Sequence, residues 1–416
     1  MKRKQKKEVM YMKKSCLLAA LCLALIACPV MAEETEKTPS LIEEVQALIE
    51  AEDYEAAVPI LQEAADIGDA EAQNMLGNCY MYGLGIEQDE EEAAKYYQLS
   101  ADQGNIPAAY NLAFSYLNGK GVEQDAAKAE ELLKACSDQG DAESQGLLGS
   151  CYLFGDGLEQ NYEKAVEYLQ LAADQENAPS CYYLGLCLEN GWGVEQDYAK
   201  AADYYKLAAD QGMDCAQYSL GLLFQLGNGV EQDYEKAFEY YSLSAEQNFP
   251  QAQTALGFLY NQGLGTAQDY EKMLENYNLA AEQGEPMAQF NLGCCYRDGT
   301  GVEQDYKEMV RYFELAADQG NANAQFNLGF QYYIGVGVDQ DYDKAFQLFQ
   351  MSAEQGFPVA MFAYGDCYYL GAGVEQDLKT AEEWYQKALD AGYEPDDEDQ
   401  KHIAEVMGED SQNKEE

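Results

Sequence analysis

Histidine occurs once in the 416 residues and tryptophan twice, and only 25 lysines and arginines stand against 75 aspartates and glutamates. A single histidine cannot furnish a zinc site or most catalytic triads, because both need several converging ligands or a positioned base. No CxxC pair supplies the missing ligands. With a formal charge of −50, the chain repels phosphate backbones and anionic head groups, whose binding depends on lysine and arginine. Nucleic acid and membrane surfaces are therefore excluded as expected partners. The longest apolar run, Cys16 to Ala27, has twelve residues and is too short for a comfortable membrane span. Each Gly-x-Gly closes a helical pattern and does not join a strand to a helix, so there is no phosphate loop.

What is present is concentrated. Residues 1–32 hold seven of the basic residues and one acidic residue, which leaves 18 against 74 beyond them, a charge of −56. Met12-Lys13-Lys14 leads into the apolar run, and Pro29-Val30-Met31-Ala32 follows before Glu33. A basic start, a short apolar stretch and small residues at Val30 and Ala32 match a secretory signal, so cleavage after Ala32 and an extracytoplasmic location are expected. Leu25-Ile26-Ala27-Cys28 also fits a lipobox, which leaves a lipoprotein anchored at Cys28 as the alternative.

From Ala72 to residue 395 a unit of 36 residues recurs nine times without insertion or deletion. Its sixth position is glycine, from Gly77 to Gly365, except for Ala113. Its twelfth and fourteenth positions are always glycine, and its seventeenth is always glutamine, from Gln88 to Gln376. In the eighth unit Ala324, Leu328 and Tyr332 fall on one face of a short helix, here A, which Gly335 ends in a left-handed conformation. Asp341 is then the N-cap of a second helix, B, with Ala345, Phe346, Phe349 and Ala353 facing inward. Proline stands near the start of the next helix in six units, where its missing N–H costs least. A glycine inside helix A costs roughly 1 kcal/mol against alanine, so close helix packing is its expected reason, with Ala172, Ala173, Ala208 and Ala209 completing the crossing.

The pattern Ala-Gln-x-x-Leu-Gly-x-x-Tyr-x-x-Gly-x-Gly-Val-x-x-Asp-x-x-Lys-Ala, followed by paired aromatics, Ala-Ala and Gln-Gly, closely resembles the Sel-one-like repeat family, relatives of the tetratricopeptide repeats. The resemblance implies an all-α fold, an α/α superhelical solenoid with a right-handed turn, and a role in assembling protein complexes. The expected layout is a signal at 1–32, a degenerate helical unit at 33–71 with Pro59 disturbing its second helix, nine repeats at 72–395, and a capping helix with an acidic tail at 396–416.

A secreted, cysteine-rich branch of the family staples helix pairs with disulfides. Here Cys181 has one of the two places, but its mate is Ala173, and Cys79, Cys151, Cys187, Cys295 and Cys367 share the eighth position instead. Free, partly buried thiols are therefore expected. The repeated Glu-Gln-Asp loops, as at Glu195 to Asp197, lack the alternating ligands of a calcium loop, so no metal or cofactor is expected. The resemblance also carries an alternative, a cell-wall hydrolase or β-lactam-binding protein. Its only serine–lysine motif, Ser411 to Lys414, lies in the polar tail.

The leading expectation is a non-catalytic scaffold whose partner is a protein or peptide with basic segments. At 100° per residue, positions three, seven and ten of helix A lie opposite its core face. Position three supplies Tyr110, Tyr182, Tyr218, Phe290, Phe326 and Phe362. Position seven supplies Phe114, Phe258 and Phe330, and position ten Arg297, Tyr333 and Tyr369. Matching positions grip peptides in tetratricopeptide relatives. Packing between repeats is the competing reading, above all for position three.

Overall fold

The computed structural model describes residues 41–412, so the expected export signal lies outside the described residues. Twenty-one helices and no strand occur among them. They fall into two compact units, one ending at Gln232 and the other beginning at Asp233. The first holds helices Leu41–Glu50 and Tyr54–Asp66, four full repeats and helix A of the fifth; the second holds helix B of the fifth, four further repeats and a last helix, Asp397–Gln412. Within each unit consecutive helices pair and the pairs stack, which is an all-α solenoid.

Local chemistry explains the ends of each helix. In the eighth repeat helix A runs Ala322–Ile334 and helix B Tyr342–Glu354. Gly335 closes helix A at φ 72° and donates its N–H to the Gln331 carbonyl. Asp341 opens helix B by accepting the Lys344 N–H at 3.0 Å. The invariant glutamine completes the turn. Gln340 sends its amide 2.8 Å back to the Tyr333 carbonyl, and the other eight repeats do the same at 2.6 to 2.9 Å. A helix end leaves its last carbonyls without partners, and this side chain satisfies one of them.

The helix-interior glycine faces a side chain twenty positions downstream and not the alanines. A methyl group on Gly257 would stand 2.4 Å from the Tyr277 ring, and one on Gly185 2.6 Å from Tyr205. The same contact joins Gly293 to Phe313 and Gly149 to Leu169. In the second repeat Ala113 is paired with the narrower Leu133, both buried. Tight crossing is thus the correct reason for the glycine, but the ring at position 26 fills the crossing.

Two end regions depart from the repeat. Helix Tyr54–Asp66 continues through Pro59 at the same thirteen-residue length as the A helices, so the proline does not interrupt it. At the other end Asp397–Gln412 takes the place of a tenth helix A. His402 meets Asp366, and Glu405 meets Tyr369, each pair being 36 residues apart. Val406 is buried with Phe362 and Tyr385 beneath it.

Candidate functional site: the exposed face of the A helices

Neighbouring A helices lie side by side. Asn111, at position four, donates to Asn74 at 3.0 Å and to Asn78 at 3.3 Å, which are positions three and seven of the preceding repeat. Arg297 reaches Asn327 of the next repeat at 3.1 Å in the same way. Positions three, seven and ten therefore line one face in each unit, though not with equal freedom.

Position three lies deepest. Tyr182 is fully buried, with its ring 5.7 Å from Tyr205. Phe290 stacks on Phe313 at 5.7 Å, Phe326 lies 5.8 Å from Phe349, and buried Phe362 is sandwiched between Tyr385 and Tyr393 at 4.8 and 4.7 Å. These rings lie over the position-26 column and extend the core. Tyr110 and Tyr218 are half-buried, and burial pushes the Tyr110 phenol well above its ordinary value, with Glu143 adding to the shift.

Position ten is engaged in part. The Arg297 guanidinium grips Asp298 through two bonds of 2.8 and 3.0 Å, which holds the Asp298 carboxyl below the usual carboxylate range. Tyr333 packs edge-on to Tyr342 at 5.2 Å, and Tyr369 lies tilted against His402 at 4.8 Å while its hydroxyl donates to Glu405. Position seven presents more open rings. Phe258 and Phe330 are 38% and 46% exposed, and Phe114 is half-buried with the Lys120 ammonium 6.0 Å from its ring.

One column on this face was missed in the sequence. Position eleven, the last residue before the closing glycine, carries exposed Tyr82, Leu226, Ile334 and Leu370. The signal was available, because position eleven is i+4 from position seven and so shares its side of the helix. Phe330 and Ile334 form such an exposed apolar pair in the second unit.

The face holds no arrangement suited to bond-breaking chemistry. The nine described cysteines are thiols outside any disulfide, and all but Cys294 are buried. Burial pushes the Cys187, Cys295 and Cys367 thiols up to about 12, which keeps them as poorly nucleophilic thiols. His402 is tied to Asp366 at 3.2 Å, and Asp366 also accepts from Tyr385 at 2.6 Å. No group of three or more potential metal ligands converges among the described residues. The side chains of the Ser411–Lys414 motif lie outside the described ones.

Short helix pairs stacked in series around a packed core within each unit define the class: an α/α repeat solenoid of the kind that presents surfaces to other proteins. Nine consecutive segments covering residues 70–393 match the Sel1 repeat, and the chain belongs to that family. Two solved structures are similar to it. One is a protective antigen of uropathogenic Escherichia coli with an SLR fold, 29% identical, covering 89% of this chain and 94% of its own, with a TM-score of 0.57. The other is a Sel1 repeat protein from Oxalobacter formigenes, 32% identical, covering 81% of this chain and 96% of its own, with a TM-score of 0.55. A comparison with curated protein sequences finds no match.

Proposed function

We propose that the chain is an exported, non-catalytic scaffold that holds a polypeptide partner along its A-helix face, with positions seven and eleven as the apolar anchors. The observation that carries this reading is the exposure of Phe258, Phe330 and Ile334 at 38%, 46% and 42% on that face. Exposed aromatic and aliphatic side chains on a rigid element are common interface anchors, because little side-chain entropy is lost when they are covered. The acidic chain selects basic residues at the edges of that partner. Export follows from the signal pattern at 1–32, and one structural relative is itself described as a protective antigen, a description consistent with a surface location.

The test is capture of a partner from the native surface fraction by the mature chain, followed by the triple replacement Phe258→Ser, Phe330→Ser, Ile334→Ser. Capture should fall at least tenfold while the far-ultraviolet helical spectrum and Tm remain unchanged. Undiminished capture would overturn the assignment of the face. The N-terminal mass of the exported protein decides its processing: a start at Glu33 supports the signal, and an acylated start at Cys28 supports the anchor.

A further inference from the structure

A second row of exposed apolar residues lies on the B helices. At position 28 of helix B stand Leu243, Leu279, Leu315 and Met351, exposed by 41%, 44%, 40% and 47% in four consecutive B helices of the second unit. Leu99, Leu171 and Leu207 hold the same place in the first. The fold does not require an apolar side chain there. The second repeat has Ala135 and the ninth has Lys387 at this position, and both helices keep their length and caps. The glutamine four residues on donates to the backbone carbonyl of Leu279, Leu315 and Met351 at 3.3 to 3.4 Å. All three of these glutamines, Gln283, Gln319 and Gln355, also bond across to Gln253, Gln289 and Gln325 of helix A at 2.7 to 2.8 Å, which ties the end of each B helix to its partner.

Charge beside the row is mostly acidic. Three residues after each apolar side chain, on the same helical side, lie exposed Glu246, Glu282, Asp318 and Glu354. The lysines at position 21, one turn-pair before the row, are engaged by neighbouring groups. Lys272 and Lys344 lie over the Tyr260 and Tyr332 rings of helix A at 5.3 and 4.8 Å, and Lys236 pairs with the N-cap Asp233 at 3.5 Å. Arg311, which does stand on the row's side, is neutralised by Glu308 at 2.8 Å.

We infer that this outer row is a second docking surface, independent of the A-helix face, and that its occupant is a cationic amphipathic peptide offering apolar side chains to position 28 and lysine or arginine to position 31. Charge complementarity selects that occupant. A second copy of this chain would set carboxylates against carboxylates, and anionic lipid or nucleic acid would meet the same repulsion. An apolar contact and an anionic contact in each repeat match a helix with leucine on one side and lysine beside it.

The experiment titrates the mature full-length chain with a fluorescent Leu/Lys amphipathic helix, a polylysine of equal charge and a Leu/Glu helix of equal length. The Leu/Lys peptide should bind at least tenfold more tightly than polylysine, and the Leu/Glu peptide should not bind. Replacing Leu243, Leu279, Leu315 and Met351 by serine should weaken Leu/Lys binding at least tenfold with an unchanged helical spectrum, and replacing the four acids by their amides should weaken it and flatten its salt dependence. The Phe258, Phe330, Ile334 variant should bind the peptide as the parent does, which separates this surface from the A-helix face. Equal binding of polylysine, or peptide binding that survives the serine variant, would overturn the proposal. Loss of binding in the A-face variant alone would place the peptide on that face and overturn it as well.

Discussion

The seam inside a repeat and the seam between repeats are both closed by a recurrent glycine, invariant only between repeats, and they fail differently when crowded. Inside the repeat, the sixth-position glycine lets a side-chain ring lie on helix A, as Tyr277 does on Gly257. Between repeats, seven of the nine fourteenth-position glycines lie against backbone, and Gly157 and Gly301 meet side chains instead. A methyl on Gly121 would stand 1.8 Å from the Glu90 carbonyl oxygen of the preceding helix B, and one on Gly265 2.0 Å from that of Tyr234. A ring can shift and a helix start cannot. The solenoid thus tolerates variation within its repeats, as Ala113 with Leu133 shows, while the stacking of one repeat on the next has little slack wherever that glycine meets backbone.

The largest expected effect follows from that contrast. Gly121→Ala, at φ 68° and against backbone, should destabilise the flanking repeats by about 3 kcal/mol or more, seen as lost hydrogen-exchange protection in helices Glu90–Ala101 and Ile106–Asn118. Gly119→Ala is the matched control. Its φ is 66° but its nearest neighbour, Gln124 Cβ, is 3.6 Å away, so about 1 kcal/mol is expected from the backbone conformation alone. Equal losses at the two sites would break the comparison.

Gly257→Ala should cost about 2 kcal/mol through overpacking, and adding Tyr277→Leu, the arrangement found in the second repeat, should recover part of it. A double variant no better than the sum of its singles would show that the ring does not set the crossing. Gln325→Ala should cost about 1 to 2 kcal/mol, because this buried amide bonds the Ala317 carbonyl at 3.1 Å and accepts from Gln355 at 2.7 Å. Thermal or urea unfolding of the full chain reads both.

The smallest effect is a dependence on pH that the two kinds of carboxylate pull in opposite directions. Burial, as the largest cause, raises Glu143, Glu189, Glu285 and Asp366 above their ordinary values. Such groups bind a proton more readily when folded, so their stabilisation is complete below the ordinary value and is lost as pH rises through the folded one. The N-caps Asp125, Asp197 and Asp233 are held below 3.8, first by backbone N–H donation, and their stabilisation is lost as pH falls. Tm should therefore rise as pH falls from neutral through the raised carboxylates and drop again once pH falls through the lowered N-cap aspartates. A Tm that falls steadily from neutral pH downward would contradict this balance.

The period, the helix ends and the caps were legible in the sequence because each is local: Gly335 and Asp341 act within a few residues of their own positions. The destinations of longer-range contacts were not. Gly257 is explained by a ring twenty residues away, and the invariant glutamines by a carbonyl seven residues back, geometry that exists only after the turn has formed. The A-helix face was legible as an angular sector. Which of its residues stay open was not, since Tyr182 and Phe362 sink onto position 26, whereas Phe258 and Phe330 have no such depth to enter.

The central claim, that the A-helix face carries the partner, is tested most directly by site-specific photocross-linking in the native cell. A photoreactive phenylalanine analogue at position 258 or 330 should yield the same discrete adduct, whereas the analogue at exposed Gln347 on helix B should not yield it. Absence of an adduct from both 258 and 330, with the helical fold intact, would contradict the account.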